Sequence, residues 1–179
     1  MTRLVAFAGG STGPWRIDRH EPVVGDGLPA AARLAVVEDA PPPPAAWTLR
    51  GVVSNERYVE RRERALLEAR QRPLGRAEAT CAALIPVTKS QEWWALPQDE
   101  RRAIFEERSR HIATGLEYLP AVARRLHHSR ELGEPFDFLT WFEYAPEHAE
   151  AFEELVVRLR ATEEWRYVVR EIDIRLVRD

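Results

Sequence analysis

The sequence predicts an α+β fold, and three observations carry that expectation. After residue 80, short β-rich runs alternate with two amphipathic stretches in the order β-α-β-β-α-β, which is the order of a ferredoxin-like unit. The first eighty residues hold three further β-rich runs and a single helical stretch. The last run changes the parity of its apolar face near Arg170 and Glu171, which is how a bulged, bending strand reads. The full expectation is a ferredoxin-like βαββαβ unit at residues 79–179, fused to a reduced N-terminal ferredoxin-like unit at residues 1–78. The two would close into one compact α+β barrel.

Residues Leu4 to Phe7, Arg33 to Val37 and Trp47 to Val53 are predicted strands, bounded by Gly, Pro and Ser clusters. The run Pro41 to Pro44 is a stiff surface connector, because Pro repeats stay extended without ladder hydrogen bonds. Glu56 to Gln71 is a predicted helix capped by Ser54 or Asn55, with Tyr58, Ala65, Leu66 and Ala69 as sparse apolar residues. Cys81 to Thr88 is the next strand. Pro97 to Thr114 then has the marks of one helix: Pro in its first turn, Asp99 and Glu100 near its positive end, and Gly115 as its stop. Ala121 to His128 alternates as a strand does, and Phe136 to Tyr144 is rich in aromatic residues. Pro146 opens a second helix with Ala149, Phe152, Leu155, Val156 and Leu159 on one face, and Arg166 to Val177 closes as a strand.

Composition narrows the function classes. The chain has 179 residues, 45% hydrophobic and 31% charged, enough for one sizeable core. Its net charge of −3 gives no basic surface of the kind that drives nucleic-acid binding. Cys81 is the only cysteine, so one chain cannot build a disulfide framework or a thiolate-rich metal site. No run approaches the ~20 apolar residues of a membrane-spanning helix, and the expected location is cytoplasmic.

Four residues stand out for chemistry. His111 shares a helix side with Ile104, Phe105, Arg108, Ile112 and Gly115, which puts an imidazole at the edge of an apolar face. That pattern suits a hydrogen-bonded core histidine as well as a metal ligand. No HExxH and no second His or carboxylate at zinc spacing accompanies it, whereas a haem iron needs only one axial imidazole. Arg124 shares its strand face with Val122, Leu126 and His128, and Arg125 takes the other face. An inward guanidinium needs a partner, either an internal carboxylate or a bound anion. Lys89 continues the face of Ile85 and Val87, just before Trp93 and Trp94. Glu164 lies in the short turn before the last strand. Each alone reads as a surface charge; together they could hold and tune an axial histidine.

The segments KSQEWW, SRHIATGLEYLPAVARRLHHSREL, FDFLTWFEY and RATEEWRYVVREIDIRL closely resemble the chlorite dismutase family of haem proteins, in particular its short, dimeric, N-terminally trimmed branch. The resemblance covers residues 80–179 and, more loosely, the strands before them. It implies haem b as cofactor, His111 as the axial iron ligand and Arg124 as the distal arginine. It further implies that Glu164 hydrogen-bonds the proximal imidazole, that Lys89 accompanies it, and that Trp93 and Trp94 lie near the haem. The implied reaction converts chlorite to chloride and O2 through a ferryl species and hypochlorite that rebounds onto it, in a homodimer. Related coproheme decarboxylases generally lack the distal arginine, so Arg124 argues for the chlorite branch. A haem peroxidase-like or haem-handling enzyme of the same superfamily, or a non-catalytic haem sensor or carrier, remains the alternative.

Overall fold

The computed structural model describes residues 2–53, 60–70 and 72–179. Eight strands close into one barrel whose neighbours all pair antiparallel. They are β1 (Leu4–Gly10), β2 (Trp15–Val24), β3 (Arg33–Glu38), β4 (Trp47–Val53), β5 (Cys81–Lys89), β6 (Ala123–His128), β7 (Phe138–Tyr144) and β8 (Val168–Arg178). Around the barrel the order is β1-β3-β2-β8-β5-β7-β6-β4. The first four strands and the last four therefore each run in the order fourth, first, third, second. The α-helices are α1 (Arg61–Arg70), α2 (Gln91–Ala95), α3 (Gln98–Arg102), α4 (His111–Glu117) and α5 (Ala149–Arg160). None of the described helices is long and apolar enough to cross a membrane.

Strand alternation divides the molecule into two cores. Successive side chains of a strand point to opposite faces. Ala82 and Leu84 of β5, Leu139 and Trp141 of β7, and Ile172, Ile174 and Leu176 of β8 fill the barrel with Phe7, Trp15, Leu34 and Trp47. Their neighbours Ala83, Ile85, Val87 and Phe142 point outward and pack against Phe152, Leu155, Val156 and Leu159 of α5. One sheet thus has an aromatic interior and a second apolar layer under its helices, and the latter contains the candidate site.

Most predicted elements form within a few residues of their expected ends, and four differences have physical causes. The strand β2 escaped the pattern because half of its sequence WRIDRHEPVV is charged residues or His and it contains Pro22. It pairs with β8 across two register shifts, one of them between Pro22 and Val24, and Pro is tolerated at such irregularities. The expected bulge in the last strand falls at Val169: Thr88 pairs with Arg170 and Lys89 with Val168. The helix α1 buries Leu67, whereas Ala65, Leu66 and Ala69 face solvent. Its expected cap at Ser54 or Asn55, and Tyr58, lie outside the described residues.

The fourth difference matters most. The single helix expected from Pro97 to Thr114 is broken. After α3 the chain makes a π-helical stretch, Ala103–Arg108, and Arg110 then adopts a left-handed conformation at φ 53°. A new helix starts at His111 and runs through Gly115 to Glu117, so Gly115 is not the stop. The Glu106 carboxylate makes this break stable. It accepts from the backbone N–H groups of Ile112 at 2.6 Å and Ala113 at 3.1 Å, which a new helix start would otherwise leave unpaired.

Close packing where β4 meets β6 gives a direct test of the barrel. A Cβ at Gly51 would sit 2.6 Å from His127 Cβ. Gly51→Ala is expected to destabilise the protein by about 1–3 kcal/mol, the usual cost of overpacking. Urea unfolding midpoints measure this, and an unchanged midpoint would contradict the packing described.

Candidate functional site

Between the outer face of the sheet and the helices lies a cavity of about 1170 Å3, its solvent-filled mouth included. The sheet contributes Ile85, Val87 and Lys89 from β5, Arg124 and Leu126 from β6, and Phe138, Thr140 and Phe142 from β7. The helical side contributes His111, Ile112 and Gly115 from α4 and Leu155, Val156, Leu159 and Arg160 from α5. Glu164 and Trp165 close the wall from the turn after α5, with Glu171 from β8.

His111, Lys89 and Glu164, far apart in sequence, meet here. His111 Nδ1 is 2.7 Å from Glu164 Oε2, and Lys89 Nζ donates to Glu164 Oε1 at 2.7 Å. The carboxylate is 2% exposed and the lysine 7%. Ser109 Oγ accepts the backbone N–H of Glu164 at 2.9 Å, so the broken helix also fixes the turn that carries the carboxylate. Burial alone would raise the Glu164 pKa. The charges of His111 and Lys89, with their hydrogen bonds, overcome it and hold the carboxyl down at about 2. Burial pulls the Lys89 pKa down, against the opposing pull of Glu164.

Arg124 lines the cavity with Val122 and Leu126, as strand parity predicts. Its guanidinium is enclosed by the cavity wall, which pulls its pKa down, against the distant charge of Glu164. Arg125 turns to the barrel side, where it donates to Glu38 at 2.6 Å and to His127 Nε2 at 3.1 Å. His127 is fully buried, Nδ1 facing the Leu139 carbonyl, and burial lowers its pKa to about 4. Trp93 and Trp94 are not part of the cavity wall. Trp93 lies one layer behind, with Lys89 Nζ 3.7 Å over its ring. Trp94 donates to Asp137 at 3.1 Å and stacks on Phe138.

Sequence reasoning missed several residues of this site. Phe105, expected on the same helix side as His111, stacks on it at 4.5 Å between ring centroids, a contact that spacing alone does not show. Trp165 stacks on the imidazole at 6.4 Å and donates to Glu171 at 2.8 Å. Arg160 donates from Nε to Glu171 at 2.9 Å and from Nη2 to Asp173 at 2.9 Å. The parity change near Glu171 was the signal that this stretch borders a site.

The residues present fit a haem. Their donor chemistry is one imidazole whose Nδ1 faces a carboxylate and whose Nε2 makes no hydrogen bond among the described residues. That arrangement leaves Nε2 as the nitrogen able to ligate a metal. One turn beyond His111, a Cβ added at Gly115 would meet nothing within 4 Å, so the helix surface beside the imidazole is open. The remaining lining is mostly apolar, as a macrocycle requires.

The buried carboxylate makes acid stability a test of this geometry. Glu164 ionises more readily folded than unfolded, so its charge favours the folded state. That contribution is complete above the ordinary value of 4.5 and is lost as pH falls through about 2. Glu164→Gln is expected to lower stability at neutral pH and to flatten the fall of stability across that window. Urea titrations at a series of pH values read both effects; an identical pH slope in the variant would refute the ion-pair account.

Comparison with known proteins identifies the family. The chlorite dismutase family model matches residues 42–178. The chlorite dismutase of Ideonella dechloratans is 36% identical over 89 residues, a stretch that is 50% of this chain and 29% of that protein. The chain thus spans well under two thirds of that relative. The solved structure of a dimeric chlorite dismutase from Nitrobacter winogradskyi is 60% identical, with a TM-score of 0.91 over 97% of this chain and 99% of that one. A mutant chlorite dismutase from Candidatus Nitrospira defluvii, solved with cyanide, superposes with a TM-score of 0.66 over 99% of this chain and 91% of that one. At 21% identity that likeness speaks for the fold alone. With more than half of its length matched by the family model, this chain belongs to the chlorite dismutase family.

Proposed function

We propose that the protein is a chlorite O2-lyase that uses haem b, converting chlorite to chloride and O2. The observation that carries this reading is one apolar cavity lined both by the His111–Glu164–Lys89 relay and by Arg124. Family membership and the 60% identical relative support it. Bound haem would supply the redox chemistry that breaks the Cl–O bonds and forms O2.

His111 would hold the iron of a bound haem through Nε2. Glu164 keeps the Nδ1 proton in place, fixes the ring's tautomer and raises its basicity as a ligand. Lys89 keeps that carboxylate ionised in a buried setting. Arg124, from the sheet side, attracts chlorite and retains the hypochlorite made from it by charge-assisted hydrogen bonds. The charge of the wall agrees with an anionic substrate. Lys89, Arg124 and Arg160 outnumber Glu164 and Glu171 around the cavity, although the chain as a whole carries −3. The apolar remainder excludes water and strengthens these interactions.

The proposal extends to architecture and assembly. The strand order repeated in both halves of the barrel supports two ferredoxin-like units, residues 1–78 and 79–179. The dimeric Nitrobacter relative supports a homodimer. Sedimentation at micromolar concentration is expected to give twice the chain mass of 20.6 kDa; a monomer would remove the dimer from the proposal.

Haem loading followed by an oxygen electrode tests the activity. The loaded protein is expected to evolve O2 from chlorite far faster than free haemin, and rates equal to free haemin would refute the reading. Arg124→Ala should lower turnover about ten-fold, the worth of one hydrogen bond to a charged group. It should also bleach haem faster as hypochlorite escapes. His111→Ala, which removes the nitrogen that would hold the iron, serves as the loss-of-ligation control.

A further inference from the structure

Trp165 is the cavity residue that the proposed chlorite reaction leaves without a task. Its indole stacks on the His111 imidazole with 6.4 Å between centroids and 25° between planes. Its Nε1–H donates to Glu171 Oε1 at 2.8 Å, and Glu171 is only 1% exposed. Arg160 holds the other carboxylate oxygen at 2.9 Å, which fixes the acceptor in place. The ring itself is half-buried, in contact with the cavity on one side.

Charge separates this tryptophan from its neighbours. A cation over an indole face opposes removal of an electron from the ring, because the charge it leaves behind is positive. Trp93 carries Lys89 Nζ at 3.7 Å over its ring. Trp94 carries the guanidinium carbons of Arg130 at 4.1 Å and Arg101 at 5.3 Å. No lysine or arginine stacks on Trp165 among the described residues, and its N–H meets a buried carboxylate. A carboxylate so placed favours the oxidised ring and can take the N–H proton, so that no unpaired charge is left buried.

Resting on the haem-binding reading above, we infer that Trp165 is a one-electron donor site for the oxidised haem, the point at which oxidising equivalents leave the cofactor. In the step, the indole loses one electron to a haem oxidised by peroxide or chlorite, which is reduced by one electron. The Nε1 proton passes to Glu171 Oε1, leaving a neutral indolyl radical. An external one-electron reductant, such as a phenol, returns the electron, and Glu171 returns the proton. Without a reductant the oxidised haem removes a second electron from the indolyl ring, water adds to the resulting cation and a proton leaves, so Trp165 permanently gains one oxygen. The site thus gives the chain a peroxidase-type outlet.

The experiment uses haem-loaded wild type, Trp165→Phe and Glu171→Gln, treated with hydrogen peroxide without reductant. Freeze-quench electron paramagnetic resonance and peptide mass spectrometry are the readouts. Wild type is expected to show a tryptophan radical and a one-oxygen mass gain at Trp165. Both are lost in Trp165→Phe, which keeps an aromatic ring in the wall. Glu171→Gln, which still accepts the N–H but takes no proton, lowers the mass gain at Trp165 and provides the test should the first variant not fold. An unchanged radical in Trp165→Phe, or oxidation at Trp93 or Trp94 with Trp165 intact, overturns the inference. Oxygen evolution from chlorite is recorded on the same wild-type sample. Its absence would refute the lyase reading while the peroxide results still decide the role of Trp165, and failure to take up haem overturns both.

Discussion

One buried carboxylate ties this site together. Glu164 comes from the turn after α5, Lys89 from the end of β5 and His111 from the first residue of α4, and the only thing they share is that pair of 2.7 Å hydrogen bonds. Burying an unpaired carboxylate, ammonium or charged imidazole is costly. Each of the three groups is therefore acceptable here only because the others are present. The same requirement fixes the positions of three elements relative to the barrel, so the cavity they enclose has a defined shape before any ligand enters.

Strand periodicity accounts for how much of this was legible. Because side chains alternate strictly, Arg124 had to share a face with Val122 and Leu126, and Lys89 with Ile85 and Val87, and all six line the cavity. Alternation also sends Arg125 and His127 into the barrel, where Glu38 and the Leu139 carbonyl meet them. Neighbouring arginines thus acquire unrelated surroundings from a single rule. The closed barrel itself was legible as an expectation from two short sets of strands and a bend in the last one.

The illegible parts depend on contacts distant in sequence or on cancelled signals. Every local mark from Pro97 to Thr114 favours one continuous helix. The break is decided by the Glu106 side chain reaching forward to two backbone N–H groups and by Ser109 bonding the Glu164 backbone. Neither contact has a periodic signature. In β2, outward polar residues and Pro22 masked the alternation, and only pairing with β8 identifies the segment as a strand. Alternation with the inward Ile172 and Ile174 turns Glu171 to the cavity face, but its partner Trp165 comes from the turn before β8, and no pattern in β8 alone would have joined the two.

The two carboxylates at the cavity edge do different physical work because their partners differ. Glu164 faces an imidazole and an ammonium, and both drive it toward the ionised form; the result is a fixed negative charge behind His111. Glu171 faces an indole N–H and a guanidinium that Asp173 also engages. On the reading that Trp165 is the electron donor, its indole meets a carboxylate while Trp93 and Trp94, outside the cavity wall, carry cations over their rings, so electron loss is steered by charge placement without any change in the rings themselves.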